Sequence, residues 1–253
     1  MGIRQRNNSQ PNLAIEPMKE QKRIVILTGA GISAESGIST FRDSNGLWEN
    51  HDVQQVASPE GFKQDPKLVQ KFYNQRRQQL LSDSVKENTA HLALARLERE
   101  YPGEVLLVTQ NIDDLHERAG SKNMIHIHGE LLKKRCSRSD TVSDIRTDLS
   151  VEDICDCCSA KGTLRPHIVW FGEMPFEMER IETALQQCDL FISIGTSGAV
   201  YPAAGFANVA NASGAETAML NLEPSDNVSD FQKSNYGPAT EIVPQFVEEL
   251  LAQ

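Results

Sequence analysis

Residues 23 to 28, RIVILT, are aliphatic or β-branched at almost every position, the pattern of a strand buried on both faces. EVLLVTQN (104–111), DLFISIGTS (189–197) and TAMLNLEPS (217–225) repeat it, each closing in small polar residues. Between them the period changes. DPKLVQKFYNQRRQQLL (65–81) opens with Asp65 as N-cap and Pro66 in the first turn, NTAHLALARLERE (88–100) is a second amphipathic helix, and EIVPQFVEELLAQ (241–253) closes the chain. Strands alternating with helices predict an α/β fold with a doubly wound, Rossmann-like parallel sheet over residues 22–253. Two stretches break the rhythm. Residues 136–163 are polar and cysteine-bearing and read as a small inserted zinc-binding module; residues 42–85 read as a helical insertion. There is no internal repeat.

The stretch IHIHGELLKKRC (125–136) alternates, so in a strand His126 and His128 share one face, Ile125 and Ile127 the other, and Gly129 ends the run. A metal pair, a catalytic base and a satisfied strand end are all open from these residues alone.

In VILTGAGISAESG (25–37), Gly29 and Gly31 permit a tight turn after a buried strand, and the following helix can offer its first N–H groups to phosphate. The spacing is G-x-G-x5-G, with no Lys-Ser/Thr after it, which argues against a nucleotide triphosphatase. A dinucleotide site is the expectation and a purely structural turn the alternative. On the helix at 65–81, Val69, Phe72, Tyr73, Arg76 and Leu80 share a face. An arginine inside an apolar stripe needs an anion, either an internal carboxylate or one on a ligand.

Composition narrows the classes. A net charge of −10 argues against nucleic-acid binding and is compatible with a basic peptide partner. No apolar run reaches the ~20 residues of a membrane span. Residues 1–21 are polar, lack the apolar core of a secretion signal, and carry Arg6 where an N-myristoylation signal wants Ser or Thr. They are expected to be a disordered lead on a cytoplasmic monomer. Four of five cysteines lie between 136 and 158, whereas Cys188 precedes an apolar strand and is expected in the core. Cys155 and Cys158 form a C-x-x-C with Cys136 upstream, a metal-binding pattern whose fourth cysteine should stand near 139, where the chain has Ser139. The fourth ligand is open among Cys157, Asp156 and water.

GAGISAESGISTFR, TQNIDDLHERAG, HIHGEL, LRPHIVWFGE, IGTSGAVYPAA and LNLEPS together resemble the sirtuins, the NAD-dependent protein lysine deacylases, from about Arg23 to Leu251. The resemblance is to the bacterial CobB-type branch. It implies that Gly29, Ala30, Gly31, Glu35, Phe41, Arg42, Trp48 and Ala239 line an NAD pocket. Gln110, Asn111, Ile112 and Asp113 would hold the nicotinamide and its ribose, and Gly195, Thr196, Ser197, Asn221, Leu222 and Glu223 the adenosine side. His128 matches the family's catalytic base, helped by Asn111 and Asp113, with His126 a structural neighbour. Cys136, Cys155 and Cys158 would hold one structural Zn2+. Tyr73 and Arg76 match a Tyr-x-x-Arg pair that goes with acyl groups ending in a carboxylate. Val169 and Phe171 would wall the lysine tunnel, with the peptide adding as a strand between VWFGE and GAVYP. The implied reaction moves an acetyl, succinyl or malonyl group from lysine to ADP-ribose, consuming NAD and releasing nicotinamide. The rival readings are an NAD-dependent dehydrogenase and a non-catalytic module that binds NAD or ADP-ribose.

Overall fold

The structure, a computed structural model, describes residues 22–38, 47–48 and 51–252, with only the backbone at 47–48. The expected lead at 1–21 and the pocket residues Phe41 and Arg42 lie outside the described residues, as does the Trp48 side chain.

RIVILT forms β1 (Arg23–Thr28), which sits between two parallel neighbours and is buried at five of its six positions, as its unbroken apolar run requires. A hairpin of β2 (Leu47–Trp48) and β3 (His51–Asp52) leads into three helices, α1 (Val53–Val56), α2 (Pro59–Gln64) and α3 (Pro66–Leu80). The Asp65 side chain accepts the Leu68 N–H at 2.9 Å, so α3 starts where the Asp-Pro pair predicts. Next come α4 (Thr89–Glu100), β4 (Glu104–Thr109), α5 (Leu115–Ala119) and β5 (Met124–His126). An antiparallel sheet follows, of β6 (Gly129–Cys136), β7 (Val142–Asp144) and β8 (Leu164–Ile168) in the order β7-β6-β8. The chain then returns through α6 (Met178–Gln187), β9 (Leu190–Ile194), α7 (Phe206–Ala212), β10 (Glu216–Asn221), β11 (Lys233–Tyr236) and α8 (Ala239–Leu251).

The main sheet is wholly parallel, with strand order β11-β10-β9-β1-β4-β5. This is the order of dinucleotide-binding sheets, and its switch point lies between β1 and β9. Val25 and Leu27 face a cluster completed by Ile181 and Leu185 of α6 and Phe206 and Ala210 of α7. Ile24 and Ile26 face Leu94 and Leu97 of α4 and Val243 and Val247 of α8. A third cluster joins the 53–80 helices to Leu115, Leu131, Ile168 and Trp170, so the helical insertion rests against the antiparallel sheet.

Three expectations change. Gly129 does not end a strand; β5 stops at His126, the chain turns, and Gly129 opens β6 at φ +83° with a Cβ position only 2.1 Å from the His167 carbonyl. The inserted sheet therefore runs from 129 to 168, wider than 136–163. The segment after Gly29 is a 3-10 helix, Ala30–Ser36, rather than an α-helix.

Candidate active site

The switch point brings the glycine loop against the turn after β9. Gly29 N–H donates to the Ile194 carbonyl at 2.9 Å and Gly31 N–H to the Gly195 carbonyl at 2.8 Å. A Cβ on Gly29 would meet the Gly195 oxygen at 2.8 Å, and one on Gly31 the Gly195 Cα at 2.7 Å. Gly195 itself sits at φ +63°. The glycines are thus required first by backbone against backbone, which the sequence spacing could not distinguish from approach to a ligand.

Polar side chains from four strand ends ring this crevice and fasten one another. Gln110 Nε2 donates to Thr196 Oγ1 at 3.1 Å, and Asn221 Nδ2 to the Thr196 carbonyl at 2.8 Å. Asn111 is buried and its amide N–H2 donates to the Gly29 carbonyl (3.1 Å) and Ser33 Oγ (3.2 Å), which leaves its carbonyl oxygen as the acceptor available to a ligand. Asp113, also buried, accepts from Ser33 Oγ at 3.1 Å and from the Leu115 N–H at 3.2 Å. Burial raises its carboxyl to about 6. Ile112 packs on the third apolar cluster, and its carbonyl accepts the Leu131 N–H. Glu35 is exposed. Both its carboxylate oxygens hold Thr240, at 2.7 and 3.0 Å, where they fasten the start of α8 beside Ala239. Ala30 and Ser197 are half-buried at the crevice, while Leu222 and Glu223 are exposed at its rim.

The two histidines separate by their partners. His128 Nδ1 lies 3.0 Å from the Gln110 carbonyl, an acceptor, so Nδ1 carries the proton and Nε2 keeps its lone pair. Burial lowers its pKa below the ordinary imidazole value, against the pull of that carbonyl. His126 meets acceptors on both nitrogens, the Asn111 carbonyl at 3.2 Å and Glu117 Oε1 at 2.6 Å, a pairing that favours the protonated ring. Burial works against that charge, but the Glu117 carboxylate outweighs it and the pKa is raised. Only His128 is equipped as a base.

The cysteines converge. The Sγ atoms of Cys136, Cys155, Cys157 and Cys158 all lie within 4.8 Å of one another, with Cys136–Cys158 at 3.8 Å and Cys155–Cys157 at 3.0 Å. Thiolates around a tetrahedral zinc stand about 3.8 Å apart, from Zn–S bonds of about 2.3 Å. Four sulfurs in this space fit a zinc-binding module. Cys157 Sγ lies 3.2 Å from Ser139 Oγ, beside the position where the pattern wants a cysteine. The Arg138 backbone N–H draws the Cys136 thiol down to about 5, into the thiolate range.

On the far side of the crevice, Tyr73 is fully buried and its hydroxyl accepts the Trp170 Nε1–H at 3.0 Å. Arg76, one helical turn on, is half-buried with its guanidinium 5.1 Å from the Phe72 ring centroid. The arginine wholly inside α3 is its neighbour Arg77, whose Nε donates to the Leu131 carbonyl at 3.1 Å and whose Nη1 reaches Asn74 and the Thr147 carbonyl. Arg165 grips Glu173 through two bonds of 2.6 and 3.0 Å and lies 3.4 Å from the Trp170 ring centroid, fixing the VWFGE loop. Val169, Trp170 and Phe171 have their N–H groups committed to the His128 carbonyl, the Glu173 carboxylate and the Ala57 carbonyl. A peptide strand on this edge would pair mainly with carbonyls. The Phe171 side chain is exposed.

A model of the Sir2 family matches residues 29–202. The chain belongs to the Sir2 family. A relative from Pasteurella multocida (strain Pm70), an NAD-dependent protein deacylase by name, is 61% identical over 234 residues, covering 92% of this chain and all of the relative. Among solved structures, a Sir2 homologue in complex with NAD superposes with TM-score 0.82 at 37% identity, covering 91% of this chain and 90% of the other. A Sir2 complex with a p53 peptide and NAD+ gives 0.75 at 30% identity, with 89% and 92% covered.

Within this Sir2 chain, sequence reasoning assigned no role to Ser33, Thr28, Thr109, Arg77, Arg165 or Trp170, and left Cys157 among three choices. LRPHIVWFGE did contain the signal for Arg165 and Glu173, a cation and an acid eight apart on either side of a sharp turn. Arg77 had none, since two adjacent arginines differ only by a rotation of about 100° on the helix.

Proposed function

We propose that this Sir2-family chain is an NAD-dependent protein lysine deacylase that removes succinyl and malonyl groups as well as acetyl. The observation that carries the reading is a histidine with its Nε2 lone pair unused, His128, held through Nδ1 by the Gln110 carbonyl in the same segment after β4 that carries the buried Asn111 and Asp113, both fastened to Ser33 of the glycine loop. NAD, when bound, would supply an activated ribose carbon and nicotinamide as leaving group; with one water consumed, the acyl group leaves lysine as O-acyl-ADP-ribose and the amine is freed. The chain does the rest. Asn111 offers its carbonyl oxygen to the nicotinamide ribose, with Gln110, Ile112 and Asp113 around the same group, and Gly195, Thr196, Ser197, Asn221 and Glu223 hold the adenosine side. His128 removes a ribose hydroxyl proton, a transfer suited to a neutral imidazole near pH 7.

Tyr73 and Arg76, three residues apart on α3, present a phenol and a guanidinium to the acyl terminus; a carboxylate there gains a charge-assisted pair and acetyl leaves the arginine solvated. Val169 and Phe171 flank the lysine. The solved Sir2 complex with a p53 peptide supports a protein substrate, and strand addition is the mode proposed for it. Cys136, Cys155, Cys158 and Cys157 would hold one structural zinc, with no part in the chemistry. No helix among the described residues is long and apolar enough to cross a membrane. The bacterial relatives favour a cytoplasmic enzyme, and the acidic surface charge a partner that is not nucleic acid; the site is completed by one copy.

The deciding experiment is mass spectrometry of matched acetyl-lysine and succinyl-lysine peptides incubated with NAD. The expected result is loss of both groups with one nicotinamide released per lysine freed. Acyl loss without NAD would overturn the mechanism, and NAD binding with no turnover of either peptide would favour the binding-module reading.

A further inference from the structure

Beneath the crevice lie two histidines that the reaction does not use. His91 of α4 and His116 of α5 are buried, with 0% and 1% of their surface exposed, and their rings meet edge to face at 4.8 Å. His116 Nε2 is 3.0 Å from Thr28 Oγ1 at the end of β1. Thr28 donates to Thr109 Oγ1 at 2.9 Å at the end of β4, and Thr109 Oγ1 accepts the Asn111 backbone N–H at 3.1 Å. His116 Nδ1 is buried with no hydrogen-bond partner.

That orphan decides the tautomer. A buried N–H without an acceptor costs more than a lone pair without a donor, so the proton sits on Nε2. Thr28 has one hydroxyl proton and gives it to Thr109, which requires Thr28 to accept from His116. The chain of bonds therefore runs one way, from His116 Nε2–H to Thr28, from Thr28 to Thr109, and there it meets the Asn111 N–H. Around it, His91 Nε2 lies 3.4 Å from Ser33 Oγ, the hydroxyl that Asp113 and the Asn111 side chain share. Burial and the neighbouring His91 and His126 hold His116 well below the ordinary imidazole value, so the ring is neutral.

We propose that His116 is a positioning residue for the nicotinamide side of the site: through Thr28 and Thr109 it fixes the backbone of Asn111, and so the direction of the amide that faces the ribose. The proposal rests on the reading that Asn111 meets the nicotinamide ribose. A packing role alone would make His116 replaceable by any side chain of its volume. The relay instead demands a donor at the Nε2 position, which glutamine can place and leucine cannot.

The test compares His116→Leu, His116→Gln and Thr28→Val, with Asn111→Ala as control, by deacylation kinetics at varied NAD, binding of ADP, and thermal melting. Expected for His116→Leu is a loss of about tenfold in kcat/KM for NAD, the scale of one buried hydrogen bond to an ordered site, with ADP affinity unchanged within about twofold. His116→Gln should recover most of that loss. Thr28→Val cuts the same relay one step further on and should reproduce the leucine effect, which keeps the test alive if His116→Leu does not fold. Equal losses in ADP binding and turnover, or equal behaviour of Leu and Gln, would overturn the relay. Wild-type turnover in Asn111→Ala would instead sink the assignment of Asn111, separately from the relay.

Discussion

The nucleotide side and the acyl side of this crevice are built by opposite means. On the nucleotide side the polar groups stand at the ends of adjacent strands and hold one another over a few ångströms: Asn111 to Gly29 and Ser33, Gln110 and Asn221 to Thr196. The sheet below is covered on both faces by apolar clusters and needs nothing else to keep those ends in place. The acyl side is assembled from pieces far apart in the chain. Tyr73 reaches Trp170, 97 residues away, and Arg77 ties α3 to Leu131 and Thr147. Behind them the cysteine module has a core of Cys136, Ile145, Leu149, Cys155 and Leu164, in which two of five buried residues are thiols. Proximity along a sheet supplies the first half of the site, and long-range packing closed by a cysteine cluster the second.

Removing the zinc that these thiols would hold is therefore the largest perturbation, and it should divide the molecule along that line. Structural zinc stabilises small modules by about 10–16 kcal/mol in peptide models, far more than five residues of core can replace. A strong chelator, or Cys136→Ser, is expected to abolish deacylation while ADP binding to the sheet survives. Metal analysis should give one zinc per chain, falling in Cys157→Ser and unchanged in Asp156→Asn. Equal zinc in Cys157→Ser and the parent would remove Cys157 from the ligand set.

Within the nucleotide side, His128→Ala should cost about 10²–10⁴-fold in rate, the usual worth of a positioned base, with melting temperature little changed. Its pKa is lowered, so the neutral form dominates from below the ordinary imidazole range upward, and activity should rise through acid pH and be flat by pH 7. An acid limb above pH 7 in kcat/KM would contradict the burial seen here. Asp113, raised to about 6, titrates in the same window, and Asp113→Asn separates the two limbs.

What the sequence makes legible follows the same division. RIVILT, EVLLVT and DLFISI announce themselves because a parallel strand buried on both faces must be apolar throughout, and the groups after them must be polar because the crevice is there. KSNY, which forms the edge strand β11, carries no such signal, since an edge strand has only one buried neighbour. The acyl side resists reading for another reason. A stripe at helical spacing places Tyr73 and Arg76 on one face but cannot say that Arg77, one residue on, is the arginine buried to 1% exposure. Nor can spacing show that Cys157 brings its sulfur beside Ser139 and the other three thiols, because that depends on how the loop at 155–158 folds back. Glu35 adds a contact that its motif does not announce, since its carboxylate holds a threonine 205 residues away.

Arg76→Ala tests the acyl side alone. A charge-assisted hydrogen bond is worth about 1.5–3 kcal/mol, or roughly 10–150-fold in kcat/KM for succinyl-lysine. Deacetylation should stay within about threefold, and KM for NAD should not move. Parallel losses on both peptides would mean that Arg76 supports α3 rather than the acyl carboxylate.

The smallest effect concerns His126, two residues before His128. Its ion pair with Glu117 is partly open to solvent, the carboxylate side chain being 38% exposed, so its net worth is about 0.2–1 kcal/mol. The His126 pKa is raised on folding, so this stability is complete below about pH 6.5, the unfolded value, and is lost as pH rises through the higher folded value. Glu117→Gln should flatten that decline in a denaturant titration run at several pH values, and leave kcat within about threefold, because the Asn111 carbonyl still accepts from Nδ1. If Glu117→Gln instead cut the rate as deeply as His128→Ala, the charge on His126 would belong to the chemistry, and the separation of the two histidines into base and support would fail.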